Sequence, residues 1–384
     1  MNILIITATY TPSINGVAIN LARQKKEFEK RGHNVTLLAP HHPEQRPEKN
    51  VIRLASLPNP IYPDYPLILP IPKIFILHRL PLKIDLIYFH HPFHIGRLAL
   101  SLAKHYACPS IFFFHTNYVY LAKVYLKKLT GLTLFSKHFA KNITNIMDKA
   151  SHILVETGTF KRKLLKQTQK TPITVITTLR FSEIEKNLDK PKLVKKYGIA
   201  ANSTILLCVS RLAKEKNLSV LIKIVSRLLK SNKKFNITFL LAGAGPEDKN
   251  LLKLVNKLNL LKVVKFLGPV KIDKISEIYS LSDIFIYSSK ADVQALVILE
   301  ALIHGLPIVA FKAPGPKDFI NHGKNGFLVK SQKEFVEKLG ILLRDSKKRE
   351  KFSGEAAESS KKYSSESSID KTEKLFLRLI SNKS

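Results

Sequence analysis

The sequence predicts an α/β protein of two doubly wound domains, each a parallel sheet flanked by helices. Three observations lead there. Apolar runs of strand length alternate with segments of helical period throughout. Those runs are too uniformly apolar for a sheet with one wet face. The chain, at 384 residues, is too long for one ordinary core.

NILIITA opens the first sheet. The loop TATYTPSINGV ends in Gly16, and the helical pattern VAINLARQKKEFEKRG follows from Val17, with Gly32 as its C-cap. NVTLLAP, IDLIYFH, SIFFFHT and SHILVET supply the remaining strands of this half. LPNPIYPDYPLILPIPKIF, residues 57–75, reads as neither helix nor central strand, because proline fixes φ and removes a donor. Apolar for a loop and long, it is expected to be either functional or disordered. LRFSEIEKNLDKPKLVKKYG is polar and charged and reads as the linker. TILLCVS, NITFLLAG, VVKFLG, DIFIYSS and LPIVAF repeat the strand scheme, and EKLFLRLI ends the chain as an amphipathic helix. The expected organisation is an N-terminal domain over 1–180, a linker over 181–198, a C-terminal domain over 199–364, and a final helix over 365–384 that packs back toward the N-terminal domain. Two such domains are expected to face each other across a cleft, with ligands at the carboxyl ends of the strands.

The charge is extreme, with 63 Lys and Arg against 29 Asp and Glu, a net +34. Residues 101–200 are densest, carrying 18 basic and 5 acidic side chains. Such a surface seeks polyanions: nucleic acid, anionic lipid or phosphorylated substrates. No recognised RNA- or DNA-binding module is legible, so nucleic acid is not expected as the partner. Cys108 and Cys208 lie in apolar sequence and read as two reduced core thiols of a cytoplasmic protein. MNILIITATY has no basic leader and reads as a strand, not a signal peptide. No apolar run approaches the ~20 residues that span a bilayer.

Chemistry concentrates at strand-to-helix junctions. Gly16 lets the backbone approach a ligand while the helix N-terminus offers N–H groups to an anion. After TILLCVS, Arg211 and Lys216 stand five residues apart, a fork and a point charge suited to a diphosphate. Asp292 and Glu300 flank an apolar run, and a carboxylate inside VILEALI is costly unless it is wet or partnered. A lone Glu there reads as the wet side of an amphipathic helix. The histidines at 90, 91 and 94 lack a matching carboxylate or Cys cluster and are not read as a metal site.

Seven segments in order carry a resemblance: the NGV turn, HHPFHIG, FHTNY, SRLAKEK, LAGAGPE, FLGPV, and Asp292 to Glu300 followed by HGLPIVA. Together they resemble the family-4 retaining glycosyltransferases of the GT-B fold, over nearly the whole chain. The resemblance implies a nucleotide-diphosphate sugar donor. Glu300 then holds the ribose hydroxyls, Asp292 holds hydroxyls of the donor sugar, and a helix from Leu296 and Val297 aims its N–H groups at the diphosphate. Arg211 and Lys216 stabilise the UDP leaving group with Gly16 and Gly243 close by, and no divalent metal or other cofactor is needed. His115 lies near the anomeric carbon, and Pro269 and Val270 present backbone to the base, with Glu247 nearby. Transfer is a front-face displacement with retention, the leaving diphosphate assisting deprotonation of the acceptor. The sequence departs from the pattern at Asp292, where Glu is usual, at Ala295, at Thr178-Leu179 and at GPKD 315–318. These changes bear on the donor sugar more than on the fold.

For the acceptor, Leu121, Tyr125, Leu129 and Leu132 recur at helical spacing beside Lys123, Lys127 and Lys128, the pattern of a helix lying on anionic lipid. With HHPFHIG and FHTNY, where Tyr118 is placed at the acceptor, the resemblance is to enzymes that glycosylate diacylglycerol. The expected reaction moves glucose or galactose from a UDP-sugar to 1,2-diacylglycerol at the inner face of the cytoplasmic membrane. A hexosyl- or mannosyltransferase of lipopolysaccharide, polysaccharide or phosphatidylinositol mannoside synthesis stays open beside it.

Overall fold

The computed structural model describes residues 1–13, 15–59, 65–70, 72–115, 132–168, 170–177, 188–200, 202–271, 273–290, 292, 295–361, 363 and 365–382. Two compact units emerge: Met1–Arg180 with Ser364–Ser384, and Phe181–Tyr363.

The first unit is built on strands β1 (Asn2–Ile6), β2 (Asn34–Pro40), β3 (Val51–Leu54), β6 (Leu86–Phe89), β7 (Ser110–Phe114), β8 (His152–Val155) and β9 (Ile173–Val175), with a small pair β4 (Ser56–Leu57) and β5 (Leu67–Ile68) between them. The seven-stranded sheet has the order β3-β2-β1-β6-β7-β8-β9. Its ladders are all parallel. Side chains alternate across it: Ile5, Tyr88, Phe113 and Leu154 face one way and meet Leu21 and Phe28 of the helix Gly16–Lys30. On the other face, the helix His94–His105 comes so close that a Cβ at Gly96 would lie 3.5 Å from Phe89 and 3.2 Å from Ile146. Burial of both faces is why these strands read as unbroken apolar runs.

The helix Gly16–Lys30 starts one residue before the expected Val17, because Asn15 caps it by accepting from the Ala18 amide at 3.0 Å. Gly32 follows it at φ +81, the left-handed step that ends a helix. The Pro-rich stretch needs a correction: it holds a short helix, Lys73–Leu77, for which Pro72 serves as N-cap, so its pre-set φ starts a helix there. The C-terminal helix Ser365–Ser381 buries Ile369, Leu375 and Phe376 in the core of this unit. Arg31 grips it through Asp370 at 2.6 Å and Glu373 at 2.5 Å.

The second unit carries β10 (Thr204–Val209), β11 (Ile237–Ala242), β12 (Val264–Gly268), β13 (Ile284–Tyr287), β14 (Ile308–Phe311) and β15 (Gly326–Val329), in the order β12-β11-β10-β13-β14-β15. Of the expected linker, residues 190–196 form a helix held on this unit by Lys190 to Asp283 and Lys196 to Glu277. Cys108 and Cys208 are both buried and unbridged, and burial pushes the Cys208 thiol up to about 12. In both sheets the strand order reverses in the middle, between β1 and β6 and between β10 and β13. That reversal opens a crevice at the carboxyl ends of the strands.

Candidate active site

In the second unit the chain leaves β10 through Ser210, Arg211 and Leu212 and is pinned to the chain leaving β11. Ser210 N–H donates to Ala242 O at 3.0 Å, Leu212 N–H to Ala244 O at 3.0 Å, and Glu247 N–H to Leu212 O at 2.9 Å. Only glycine allows so close an approach: a Cβ on Gly243, at φ +135, would lie 1.9 Å from Ser210 O, and one on Gly245 would lie 2.4 Å from Leu212 O. Gly243 N–H in turn donates to Gly268 O at 2.8 Å. Gly268, at φ +65, then turns the chain into exposed Pro269 and half-buried Val270. Arg211, Gly243 and the Pro269–Val270 turn are thus brought to the same sheet edge.

A short 3-10 turn, Lys214–Lys216, follows, and Asn217 in the left-handed region (φ 56) leads into the helix Leu218–Ser231. Lys216 Nζ lies 2.6 Å from Asp292 Oδ1, with the two side chains 20% and 23% exposed. The Tyr287 hydroxyl donates to the other carboxylate oxygen of Asp292. Ser288 Oγ donates to Lys216 O at 2.6 Å, tying the β10 loop to the end of β13. The Lys216–Asp292 pair therefore sits at the reversal point of this sheet, held from both sides.

The helix Leu296–Ile303 begins after Ala295, a residue with no side-chain acceptor to cap it. Leu296 and Val297, half-buried, thus present the first amides and the positive end of the helix dipole. Glu300, one turn on, is wholly buried, which corrects the wet-side reading of a lone Glu. Its carboxylate is partnered: the Tyr279 hydroxyl donates to Oε2 at 2.6 Å. The Tyr279 ring stacks on His304 at 5.0 Å, and the His304 Nδ1 lies 2.8 Å from Glu300 O. Burial lowers the His304 pKa, keeping that ring neutral. No part of Glu300 is exposed, so its carboxylate meets a ligand only when a covering side chain moves. Tyr279→Phe removes the hydroxyl donor and is expected to raise the KM for donor about 5- to 20-fold, a loss of ~1–2 kcal/mol, with little effect on kcat; steady-state kinetics check this.

In the first unit, Gly16 forms the first turn of its helix behind the Asn15 cap, and Asn15 Nδ2 donates to Thr9 Oγ1 at 2.7 Å. His90, His115 and Glu156 are each the first residue beyond their strands β6, β7 and β8. His115 is buried, with Nδ1 at 2.7 Å from Glu156 Oε1 and Nε2 at 2.7 Å from His90 Nδ1. The rings of His90 and His115 stack at 5.0 Å. Burial, then the neighbouring His115, holds the His90 pKa well below its ordinary value and His91 at about 3. Among the described residues no group of three or more His, Cys, Asp or Glu side chains is placed to hold a metal ion.

The side chains that the sequence did not single out are Tyr279, Tyr287, Ser288 and Glu156. Lys123, Lys127, Lys128 and Tyr118, with Leu179, lie outside the described residues.

Comparison with known proteins places these features in context. The model "Glycosyltransferase Family 4" matches residues 14–178 and "Glycosyl transferases group 1" matches residues 189–359. The alpha-monoglucosyldiacylglycerol synthase of Acholeplasma laidlawii is 28% identical over 99% of this chain and 98% of its own length. The enzyme of the same name from Streptococcus pneumoniae is 26% identical over 85% of this chain and 75% of its own. Among solved structures, the sucrose-phosphate synthase of Thermosynechococcus elongatus superposes with a TM-score of 0.82 over 100% of both chains at 15% identity, a likeness of fold.

Proposed function

Because the chain belongs to the family-4 glycosyltransferases of the GT-B fold, we propose that it transfers a hexose, glucose or galactose, from a UDP-sugar to 1,2-diacylglycerol, forming an α-glycolipid at an anionic membrane surface. The observation that carries the acceptor is the end-to-end similarity to a synthase of glucosyldiacylglycerol. That similarity also favours glucose as the sugar.

The geometry of the second unit supports the donor half. Arg211 and Lys216 bring two cations to one sheet edge, and the helix at Leu296 and Val297 adds oriented amides. Charge that develops on a departing diphosphate is best stabilised by such preorganised donors. Asp292 holds Lys216 in place until the donor arrives; the phosphate then shares the ammonium while the carboxylate turns to sugar hydroxyls. Gly243 lets the chain after β11 close on Ser210, which sets where Arg211 stands. Pro269 and Val270 line the approach of the base.

The surface of the first unit supports the lipid half. Leu57, Leu67, Ile74, Phe75 and Leu82 are all more than half exposed, and all belong to the stretch from β4 through the helix Lys73–Leu77 to the turn after it. Lys73, Arg79 and Lys83 stand in the same stretch. Apolar side chains for the acyl layer beside cations for anionic headgroups suit peripheral attachment. Among the described residues no helix is long and apolar enough to cross a membrane.

The donor chemistry is assigned to Arg211, Lys216 and backbone amides without a divalent metal, so activity is expected to survive excess EDTA. The test offers labelled UDP-glucose, UDP-galactose or GDP-mannose with diacylglycerol in anionic mixed micelles, with and without EDTA, and counts label in chloroform. Label from a UDP-hexose in both conditions supports the reading. Loss with EDTA removes the metal-free assignment, and label from GDP-mannose alone overturns the donor.

A further inference from the structure

Both ring nitrogens of His115 are engaged inside the first unit, and the three participants come from separate strands. The register pairs Tyr88 with Ile111 and Phe113 with Leu154. Alternation from those pairs puts His90, His115 and Glu156 on one face of the sheet, in a row along its carboxyl edge. The row is built, not incidental: Thr177 Oγ1 donates to Glu156 O at 2.9 Å, and Thr157 caps the helix Gly158–Leu164 that starts directly after it. Phe113 packs on His115 with ring centroids 4.1 Å apart, and Tyr88 meets His90 edge-on at 4.3 Å. Both imidazoles are packed against neighbouring rings.

We propose that Glu156 is a positioning residue of glycosyl transfer: it holds the Nδ1 proton of His115, while His90 at Nε2 completes a relay in which the charge of His115 and the tautomer of His90 change together. This rests on the reading of His115 as the histidine beside the reacting sugar. The coupling follows from proton counting. With Nδ1–H of His115 given to Glu156, a neutral His115 accepts at Nε2 from His90 Nδ1–H. When His115 takes up a proton, Nε2–H donates, and His90 must carry its own proton on Nε2. One proton gained at His115 therefore relocates another on His90, and the carboxylate of Glu156 balances the new charge where a lone imidazolium would be costly to bury. A carboxylate that holds one ring nitrogen in this way fixes the tautomer and orientation of the histidine.

Among the described residues the titratable groups around His115 are Tyr88 and His90 at the end of β6, His91 in the turn after it, and Glu156 after β8. Of these, Glu156 alone is a carboxylic acid, and its Oε1 lies 2.7 Å from His115 Nδ1. The decisive experiment is a double-mutant cycle of Glu156→Gln and His115→Ala, with kcat, donor KM and Tm measured on each protein. Glu156→Gln is expected to lower kcat about 10- to 100-fold, within what a positioned acid–base group is worth, with donor KM unchanged. In the His115→Ala background the same change adds little further loss. Glu156→Asp, which keeps a carboxylate acceptor, recovers part of the kcat that Glu156→Gln loses. Additive losses, or kcat falling only in step with Tm and with no recovery in Glu156→Asp, overturn the proposal. If His115→Ala itself leaves kcat unchanged, the reading of His115 fails first. Should Glu156→Gln not fold, the Glu156→Asp kinetics and the imidazole nitrogen shifts of the unmodified protein decide: a His115 Nδ1 that carries no proton contradicts the relay.

Discussion

Lys216→Ala lowers kcat/KM for a UDP-hexose by about 10²–10³-fold, the loss seen when one preorganised donor to a developing anion is removed. Three features make the effect large. Lys216 is four-fifths buried, so water replaces its charge poorly. Its backbone is anchored by Ser288, so a neighbouring lysine cannot slide into its place. Asp292 is left with the Tyr287 hydroxyl but without its cation, and this uncompensated carboxylate then repels the diphosphate. Lys216→Arg keeps the charge but not the point geometry, and is expected to recover part of the activity. UDP affinity by calorimetry and steady-state kinetics check both. Kinetics of Lys216→Ala equal to those of the unmodified protein would remove Lys216, and with it the Asp292 pairing, from the donor site.

Gly243→Ala is expected to have the largest effect on stability. Its φ of +135 is closed to side chains, and the new Cβ would sit 1.9 Å from a backbone oxygen. Neither partner can yield, because Ser210 and Leu212 are bonded across to Ala242 and Ala244. Overpacking and backbone strain together cost about 2–6 kcal/mol, and whatever folds has Arg211 displaced and binds UDP poorly. Gly354→Ala is the control. Gly354 lies inside the helix Ser346–Ser360, where an added Cβ meets nothing within 4 Å. It should stabilise by about 0.5–1 kcal/mol. Denaturant unfolding of the two variants side by side measures both signs, and a Gly243→Ala midpoint equal to that of the unmodified protein would mean that the loop yields where the hydrogen bonds say it cannot.

The alternating strands and helices were legible because these strands are buried on both faces, and an unbroken apolar run survives any local ambiguity. β3 was not, since VIRL lies at the sheet edge with three of its four residues only partly buried. β9 was too short, at three residues, to stand out. The helix after Pro72 was hidden by the same prolines that exclude a central strand. Within the site, Arg211, Lys216, Asp292 and Glu300 could be named from spacing and resemblance, but their partners could not. Nothing in their local sequence marks Tyr279 or Tyr287; the fold aims each hydroxyl at a carboxylate. Lys216 and Asp292 are 76 residues apart, and only the adjacency of β10 and β13 joins them. Glu156 at the end of SHILVET looked like any strand-end acid. It becomes chemically meaningful only through the order β6-β7-β8, which lines it up with two histidines. The answer to the carboxylate inside VILEALI is likewise non-local: Glu300 is tolerated at full burial because Tyr279, 21 residues earlier, donates to it.

Retaining transfer from a UDP-hexose to a lipid alcohol leaves its signature in the product itself. The purified protein is given UDP-glucose and dioleoylglycerol in anionic micelles, and the anomeric proton of the isolated glycolipid is read by NMR. An α-linked hexosyl diacylglycerol is expected, with the small coupling of an equatorial anomeric proton. A β-linked product, or sugar found only in water-soluble material while UDP is released, would contradict that transfer.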